Sequence, residues 1–456
     1  MCAVVGVYGC EEASKVAYYA LFAMQHRGQE SSGISAANGE TISLIKKRGL
    51  VTDIFDEESF KVLEGKCAIG HNRYSTAGKD SVLDAQPVFA RYKLGEIAVA
   101  HNGNLTNKLE VREELIDKGA IFQTYMDTEN IVHLIAKSQK ESLYDRITDM
   151  IKKIEGAYCL IIQSRSKMFV IRDRFGIRPL SLGKLPDGGY IVASETCAFD
   201  LVNAEFVRDV NPGEMLIFEK EGQEPRSVQL MEPDYRPCAF EYIYFARPDS
   251  NIDGKNVYEK RLRCGRELAK EQPIDVDLVL PVPDSGVAAA MGFAEQIGKP
   301  FNMGIVRNHY VGRTFIEPTQ QIRDLKVKLK LSPIKHLIKG KRVAIIDDSL
   351  VRGTTSRQIV KMLKDAGATE VHMRIAAPEI KYPCRYGIDT PTKEELISNS
   401  HTPEEIAQKI GAQSVGFLSI EGLKNALGRD REYSLVSFDG DYFAGGCAES
   451  LNCSGN

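Results

Sequence analysis

Val343-Ala344-Ile345-Ile346-Asp347-Asp348-Ser349-Leu350-Val351-Arg352-Gly353-Thr354-Thr355-Ser356 decides how the second half of this chain folds. An apolar run ends in two adjacent carboxylates, and a hydroxyl-rich turn with one glycine leads into a helical pattern. An uninterrupted apolar strand marks a parallel sheet covered on both faces. A helix that starts directly after such a strand offers unpaired N–H groups and a positive dipole end, which together hold anions. Gly353 permits close backbone approach, while Ser349, Thr354 and Thr355 add hydroxyl donors. Asp347 and Asp348 suit ribose hydroxyls or Mg²⁺. An acidic strand end with an ordinary N-cap is the plainer explanation. It does not account for so many oxygens gathered at the end of so apolar a strand.

Working outward, Ile359, Met362, Leu363 and Ala366 fall at i, i+3, i+4 and i+7, so the spacing predicts a helix over Thr355–Ala366 stopped by Gly367. Val371–Ala376 reads as the next strand; upstream, Asp277–Val282 is a strand and Gly286–Ile297 a helix. Capping boxes at Thr392…Glu395 and Thr402…Glu405 open two further helices. The alternation predicts a doubly covered parallel sheet. Arg307 to Ser332 carries Arg307, Arg313, Arg323, Lys326, Lys328 and Lys330, and reads either as a solvated loop or, preferred here, as a lid that excludes water.

The first half differs. Short strands at Ala3–Tyr8, Ile34–Ala37, Thr41–Lys47, Cys67–Asn72, Glu96–His101, Ala157–Gln163, Lys167–Arg172, Tyr190–Ala193 and Glu214–Phe218 are mixed with helices at Ala13–Gln25, Lys108–Lys118 and Thr128–Lys137. Without βαβ alternation, this predicts stacked antiparallel sheets covered by helices. Proline-rich punctuation at Pro233–Pro237 sets the boundary, giving domains 2–236 and 237–456. A net charge of −3 gives no reason to expect nucleic acid or a membrane surface. No apolar run reaches the ~20 residues of a membrane span, and Glu11, Glu12 and Lys15 interrupt any signal-peptide core, so a cytoplasmic protein is expected. The ten cysteines include no C-x-x-C pair, and a disulfide framework is not expected.

Cys2 becomes a terminal residue if Met1 is removed, and its α-amine, near pKa ~8, can then serve as base for its own thiol. Alone it is a weak signal. A thiol acting on a carboxamide needs an oxyanion hole and anchors for the substrate's charged end. Asn102 and Gly103, in His101–Leu105 at a strand end, can donate to an oxyanion. Arg73 can clamp a carboxylate, and Asp127 can hold an ammonium group or simply cap a helix.

These residues, with Gln25–Ser31, His71–Thr76, Asp127–Glu129 and Arg172–Pro179, resemble the class II glutamine amidotransferases. The resemblance implies an N-terminal-nucleophile hydrolase αββα sandwich. It makes Cys2 the nucleophile, Asn102 and Gly103 the oxyanion hole, and Arg27, Arg73 and Asp127 the glutamine site. The 343–356 stretch resembles the phosphoribosylpyrophosphate (PRPP) signature of type I phosphoribosyltransferases. That implies PRPP contacts at Asp347, Asp348, Ser349, Val351, Arg352, Gly353, Thr354 and Thr355, a pyrophosphate loop at Asp284, Ser285 and Gly286, and Mg²⁺ near Ser285, Asp347 and Asp348.

The two halves in this order, with Phe240–Ser250 between them, resemble the amidophosphoribosyltransferase family. The resemblance implies a glutamine-dependent synthesis of 5-phosphoribosylamine in purine synthesis, with ammonia passed internally. It implies a homotetramer or dimer, inhibited by purine nucleotides. Many members carry a [4Fe–4S] cluster on four cysteines. Here Cys238 and Cys384 take two of those positions, but the C-x-x-C pair reads Ser434 and Ser437. Serine poorly replaces a soft thiolate, so no cluster is expected unless Cys447 and Cys453 fold back to serve. Many cluster-bearing relatives also begin with a propeptide, whereas here only Met1 precedes the cysteine. Glucosamine-6-phosphate synthase would carry a sugar-isomerase half in place of 343–356, and a PRPP-sensing regulator would not need the Cys2 constellation.

Overall fold

The computed structural model describes residues 1–74, 82–308 and 330–446. Strand Ala3–Tyr8 shows how the first half is built. Ala3, Val5 and Val7 face one apolar core, and Val4 and Tyr8 face another. A strand buried on both faces must lie between two layers.

It is central in a seven-stranded sheet ordered Glu205–Asp209, Ser181–Lys184, Tyr190–Ala193, Ala3–Tyr8, Cys67–Arg73, Ser31–Ala37 and Ile42–Arg48. A six-stranded sheet runs Arg226–Gln229, Glu214–Phe218, Met168–Arg172, Gly156–Ser164, Gly95–Leu105 and Val88–Tyr92. Neighbouring strands in both sheets are antiparallel. Val4, Ile69, Val192, Ala98, Ile161 and Leu216 form the core between the sheets. Helix Ala13–Ala23 packs on the outer face of the first sheet and helices Lys108–Asp117, Asp127–Lys137 and Leu143–Ile151 on that of the second. This is the expected αββα sandwich.

The second half contains a four-stranded parallel sheet, Leu278–Pro281, Arg342–Asp347, Glu370–Ile375 and Ser414–Phe417, in chain order. Helices Val287–Ile297 and Thr354–Asp365 begin where the sequence pattern puts them, to within one residue. Both expected capping boxes are present. Helix Val257–Glu271 was not legible, because Lys260 and Arg261 sit on its buried face and break the apolar periodicity. The proposed lid falls mostly on residues 309–329, outside the described residues; its described ends pair as short strands, Ile305–Arg307 with Leu331–Pro333. Among the described residues no helix is long and apolar enough to cross a membrane.

Candidate active sites

Cys2 immediately precedes strand Ala3–Tyr8, so its thiol sits at the end of the sheet. The Tyr74 amide donates to Cys2 Sγ at 3.5 Å. A small cavity above the thiol is lined by Cys2, Arg73, Tyr74, Gln86, His101, Gly103, Asn104, Lys108, Met126 and Asp127. Segments far apart in sequence therefore supply one site.

His101–Leu105 lies at a strand end, as expected, but inside the strand: Gly95–Leu105 continues past His101, and Ile97–Leu105 pairs with Gly156–Ser164. The ladder fixes the position of Asn102 and Gly103. Gly103 has φ +150°, and a Cβ there would lie 2.0 Å from the Ala157 carbonyl oxygen, so only glycine fits. Asn102 is 1% exposed, and its Nδ2 is buried without a hydrogen-bond partner among the described residues.

Asp127 opens helix Asp127–Lys137 but does not cap it; its Oδ2 accepts from the Leu105 amide at 2.9 Å, and Oδ1 lies 3.4 Å from His101 Nδ1. Burial pushes its carboxyl up, but His101 and the Leu105 amide outweigh burial and hold it at about 2. Asp127 is thus a prepared anion. Arg73 lies 3.6 Å from Asp84 at the cavity edge.

Arg27 is placed elsewhere. Its Nε donates to the Cys2 carbonyl at 3.0 Å, and the rest of its guanidinium is held by Glu195 and Glu241 with no side-chain exposure. Glu195 and Glu241 went unnoticed in the sequence, since they lie 168 and 214 residues from Arg27. Met1 is buried, its sulfur 2.7 Å from Arg178 Nη1, and burial pulls its amine down to about 5.

The second centre lies at the carboxyl ends of two adjacent parallel strands. The Val282 amide donates to the Ile346 carbonyl at 2.8 Å, which brings the 283–286 turn beside Asp347. The Asp348 amide donates to Asp347 Oδ1 and Ser349 Oγ to Asp348 Oδ2. Burial, and then the Asp348 charge, drive the Asp347 carboxyl well above its ordinary range. Gly353 precedes helix Thr354–Asp365 with φ +74° and no side-chain cap occupies the helix start. Arg307 Nη1 pairs with Asp284 at 2.5 Å and Arg352 Nη2 with Glu395 at 3.0 Å, both exposed.

Asp347 and Asp348 are hard oxygen donors and fit Mg²⁺, which keeps waters and takes substrate oxygens. Among the described residues no three metal-ligating side chains gather, so two carboxylates would leave the remaining positions to substrate and water.

The four cluster positions do come together. Cys238 bridges Ser434, and the Lys381 amide, three residues before Cys384, donates to the Ser437 carbonyl at 2.9 Å, so the four positions lie on neighbouring segments. Ser434 Oγ and Ser437 Oγ are buried without partners among the described residues. Two thiols and two hydroxyls do not fit a [4Fe–4S] cluster, which takes thiolates. Cys447 and Cys453 lie outside the described residues.

Residues 71–200 match the glutamine amidotransferase domain family, and residues 259–389 match the phosphoribosyl transferase domain family. The chain is 48% identical to the amidophosphoribosyltransferase of Bacillus subtilis over 97% of this chain and 94% of that one. It is 45% identical to that of Methanocaldococcus jannaschii over 97% of both chains. A solved structure of the B. subtilis glutamine PRPP amidotransferase, complexed with ADP and GMP, superposes with a TM-score of 0.92 at 46% identity over 98% of both chains.

Proposed function

The chain belongs to the amidophosphoribosyltransferase family, and from that premise we propose how its two centres divide the reaction. The enzyme converts glutamine, PRPP and water to 5-phosphoribosylamine, pyrophosphate and glutamate, the first committed step of purine synthesis. Domain 2–236 is the glutaminase and domain 237–456 the phosphoribosyltransferase.

With Met1 removed, the Cys2 α-amine takes the thiol proton and the thiolate attacks the glutamine amide carbon. Asn102 Nδ2 and the Gly103 amide donate to the oxyanion. Collapse releases ammonia, and water hydrolyses the remaining thioester to glutamate. Arg73 holds the α-carboxylate of glutamine and Asp127 its α-ammonium, while Arg27 acts through the Cys2 carbonyl. The observation that carries this assignment is the buried, unpartnered Asn102 Nδ2. An orphan donor costs about 1–3 kcal/mol, and an oxyanion would satisfy it.

At the second centre, the turn Ser349, Val351, Arg352, Gly353, Thr354 and Thr355 receives the 5-phosphate at a helix start. Asp347 and Asp348 accept from the ribose hydroxyls, and Asp284, Ser285 and Gly286 flank the pyrophosphate. Mg²⁺ held near Ser285, Asp347 and Asp348 would neutralise pyrophosphate charge. Ammonia travels internally to C1 of PRPP. Purine nucleotides inhibit, in line with the ADP and GMP bound by the B. subtilis relative. The working form is a homotetramer or dimer. All eight described cysteines are free, which supports a reducing cytoplasmic setting.

The test is Cys2→Ser. Glutamine-dependent synthesis should vanish while ammonia-dependent synthesis persists; loss of both would sink the division of labour.

A further inference from the structure

Strand Gly95–Leu105 is paired unevenly on its two edges. Gly156–Ser164 covers one edge through Ile97–Leu105, whereas Val88–Tyr92 covers the other only as far as Val99. Beyond Val99 the open edge is served by side chains. The His101 amide donates to Gln86 Oε1 at 2.7 Å, the Leu105 amide donates to Asp127 Oδ2 at 2.9 Å, and His71 Nε2 lies 3.1 Å from the His101 carbonyl oxygen. Along an antiparallel strand the backbone groups turn to alternate edges. His101 and Leu105 face the open edge, so Gly103, midway between them, faces it too, on the side of the Cys2 cavity that it lines.

The ladder therefore fixes Gly103 from one edge only. The other support comes from 281 residues further along the chain, where the Arg385 carbonyl accepts from Asn104 Nδ2 at 2.8 Å. Gly387 lies directly on the Gly103 backbone. A Cβ added to Gly387 would stand 3.0 Å from the Gly103 carbonyl carbon, 3.1 Å from its oxygen and 3.2 Å from its Cα. Gly387 also has φ +100°, which L residues rarely adopt. Contact and conformation thus demand glycine independently.

Between Arg385 and Gly387, Tyr386 is fully buried and tied at both ends. Its carbonyl accepts from Arg178 Nε at 3.0 Å and also from Arg178 Nη2. Its hydroxyl accepts from the Ala444 amide at 2.8 Å, and the Ala444 carbonyl accepts from Thr106 Oγ1 at 3.0 Å, one residue past the strand. The turn is also closed within itself: the Cys384 amide donates to Thr390 Oγ1 at 2.6 Å and the Tyr386 amide to Cys384 Sγ at 3.3 Å. An oxyanion donor must keep its direction while charge develops, and a misplacement of about 1 Å can cost ~10²-fold in rate. We propose that Arg385–Gly387 is a backstop for the oxyanion hole, with Gly387 a positioning residue that sets the Gly103 backbone by direct contact. The inference rests on the oxyanion role given to Gly103 above.

The experiment uses the full-length enzyme and compares Gly387→Ala with wild type in kcat and KM for glutamine, ammonia-dependent synthesis, the rate of Cys2 alkylation by iodoacetamide, and thermal melting. Glutamine-dependent kcat should fall by at least about 10-fold with KM for glutamine nearly unchanged. Ammonia-dependent synthesis and alkylation should hold, because neither uses an oxyanion donor. Gly411→Ala controls for backbone strain alone: Gly411 has φ +80° with nothing within 4 Å of an added Cβ, and this variant should keep the wild-type kcat. If Gly387→Ala does not fold, Thr106→Val, which cuts only the tie to Ala444, should show the same split at about 3-fold, and no change there overturns the proposal. A wild-type kcat in a normally melting Gly387→Ala overturns it too. So does alkylation that slows in step with kcat, which would mean that the segment places the thiol, or an equal loss in Gly411→Ala. If Asn102→Ala leaves glutamine-dependent kcat unchanged, the oxyanion assignment fails first and this inference falls with it; if Asn102→Ala lowers kcat and Gly387→Ala does not, this inference alone fails.

Discussion

Asp127, half-buried at a helix start, and Asp347, buried at a strand end, are driven in opposite directions by their surroundings. Asp127 receives the Leu105 amide and faces His101, and is held at about 2. Asp347 faces a second carboxylate and is raised well above the ordinary range. The first centre is assembled before substrate arrives: Asp127 at a helix start and Cys2 beside a strand line one cavity. The second is incomplete, with crowded negative charge and an uncapped helix start that a phosphorylated, metal-bearing ligand would relieve. The difference separates a carboxylate whose charge is already partnered from one crowded by a second negative charge.

Three perturbations would sharpen or break that contrast. Asp127→Ala removes a prepared counter-charge and should lower kcat/KM for glutamine by about 10³-fold, with ammonia-dependent synthesis intact. Asn102→Ala should lower glutamine-dependent kcat by roughly 10²-fold while leaving KM nearly unchanged, because its donor matters only to the oxyanion. Steady-state kinetics with glutamine and with ammonia check both, and equal losses with the two nitrogen sources would contradict them.

The smallest effect concerns pH. A carboxyl raised on folding binds its proton more tightly in the folded state, so its stabilising contribution is present at low pH and lost as pH rises through the folded value. PRPP and Mg²⁺ favour the deprotonated form, so KM for PRPP should fall as pH rises, by a few-fold between about pH 5 and pH 8. Asp348→Asn removes the neighbouring charge and should flatten that slope. Asp127, lowered on folding, keeps its charge and its stabilising contribution until pH falls through about 2, so it adds no slope to KM for glutamine in the same range.

What the sequence disclosed follows from how local each feature is. Val343–Ser356 is contiguous, so its strand, acids, glycine and helix start appear together and in order. The stacked antiparallel sheets were legible because the strands of the first half follow one another without βαβ alternation, while the αββα form was implied by the family resemblance. Arg27 was expected at the glutamine site and lies instead against the Cys2 backbone, since its carboxylate partners come from remote segments. For Asp127 the sequence left a helix cap open beside the ammonium anchor, because local sequence cannot show that the Leu105 amide claims its oxygen. Helix Val257–Glu271 hid behind buried Lys260 and Arg261, and Arg261 bonds to carbonyls rather than to acids.

The central claim is that a finished nucleophile site serves a ligand-dependent acceptor site. The direct measurement is glutamate release from glutamine by the wild-type enzyme, with and without PRPP and Mg²⁺. The account predicts slow release without PRPP and a marked rise with it, accompanied by pyrophosphate in step with glutamate. Glutamate release that is indifferent to PRPP would contradict it.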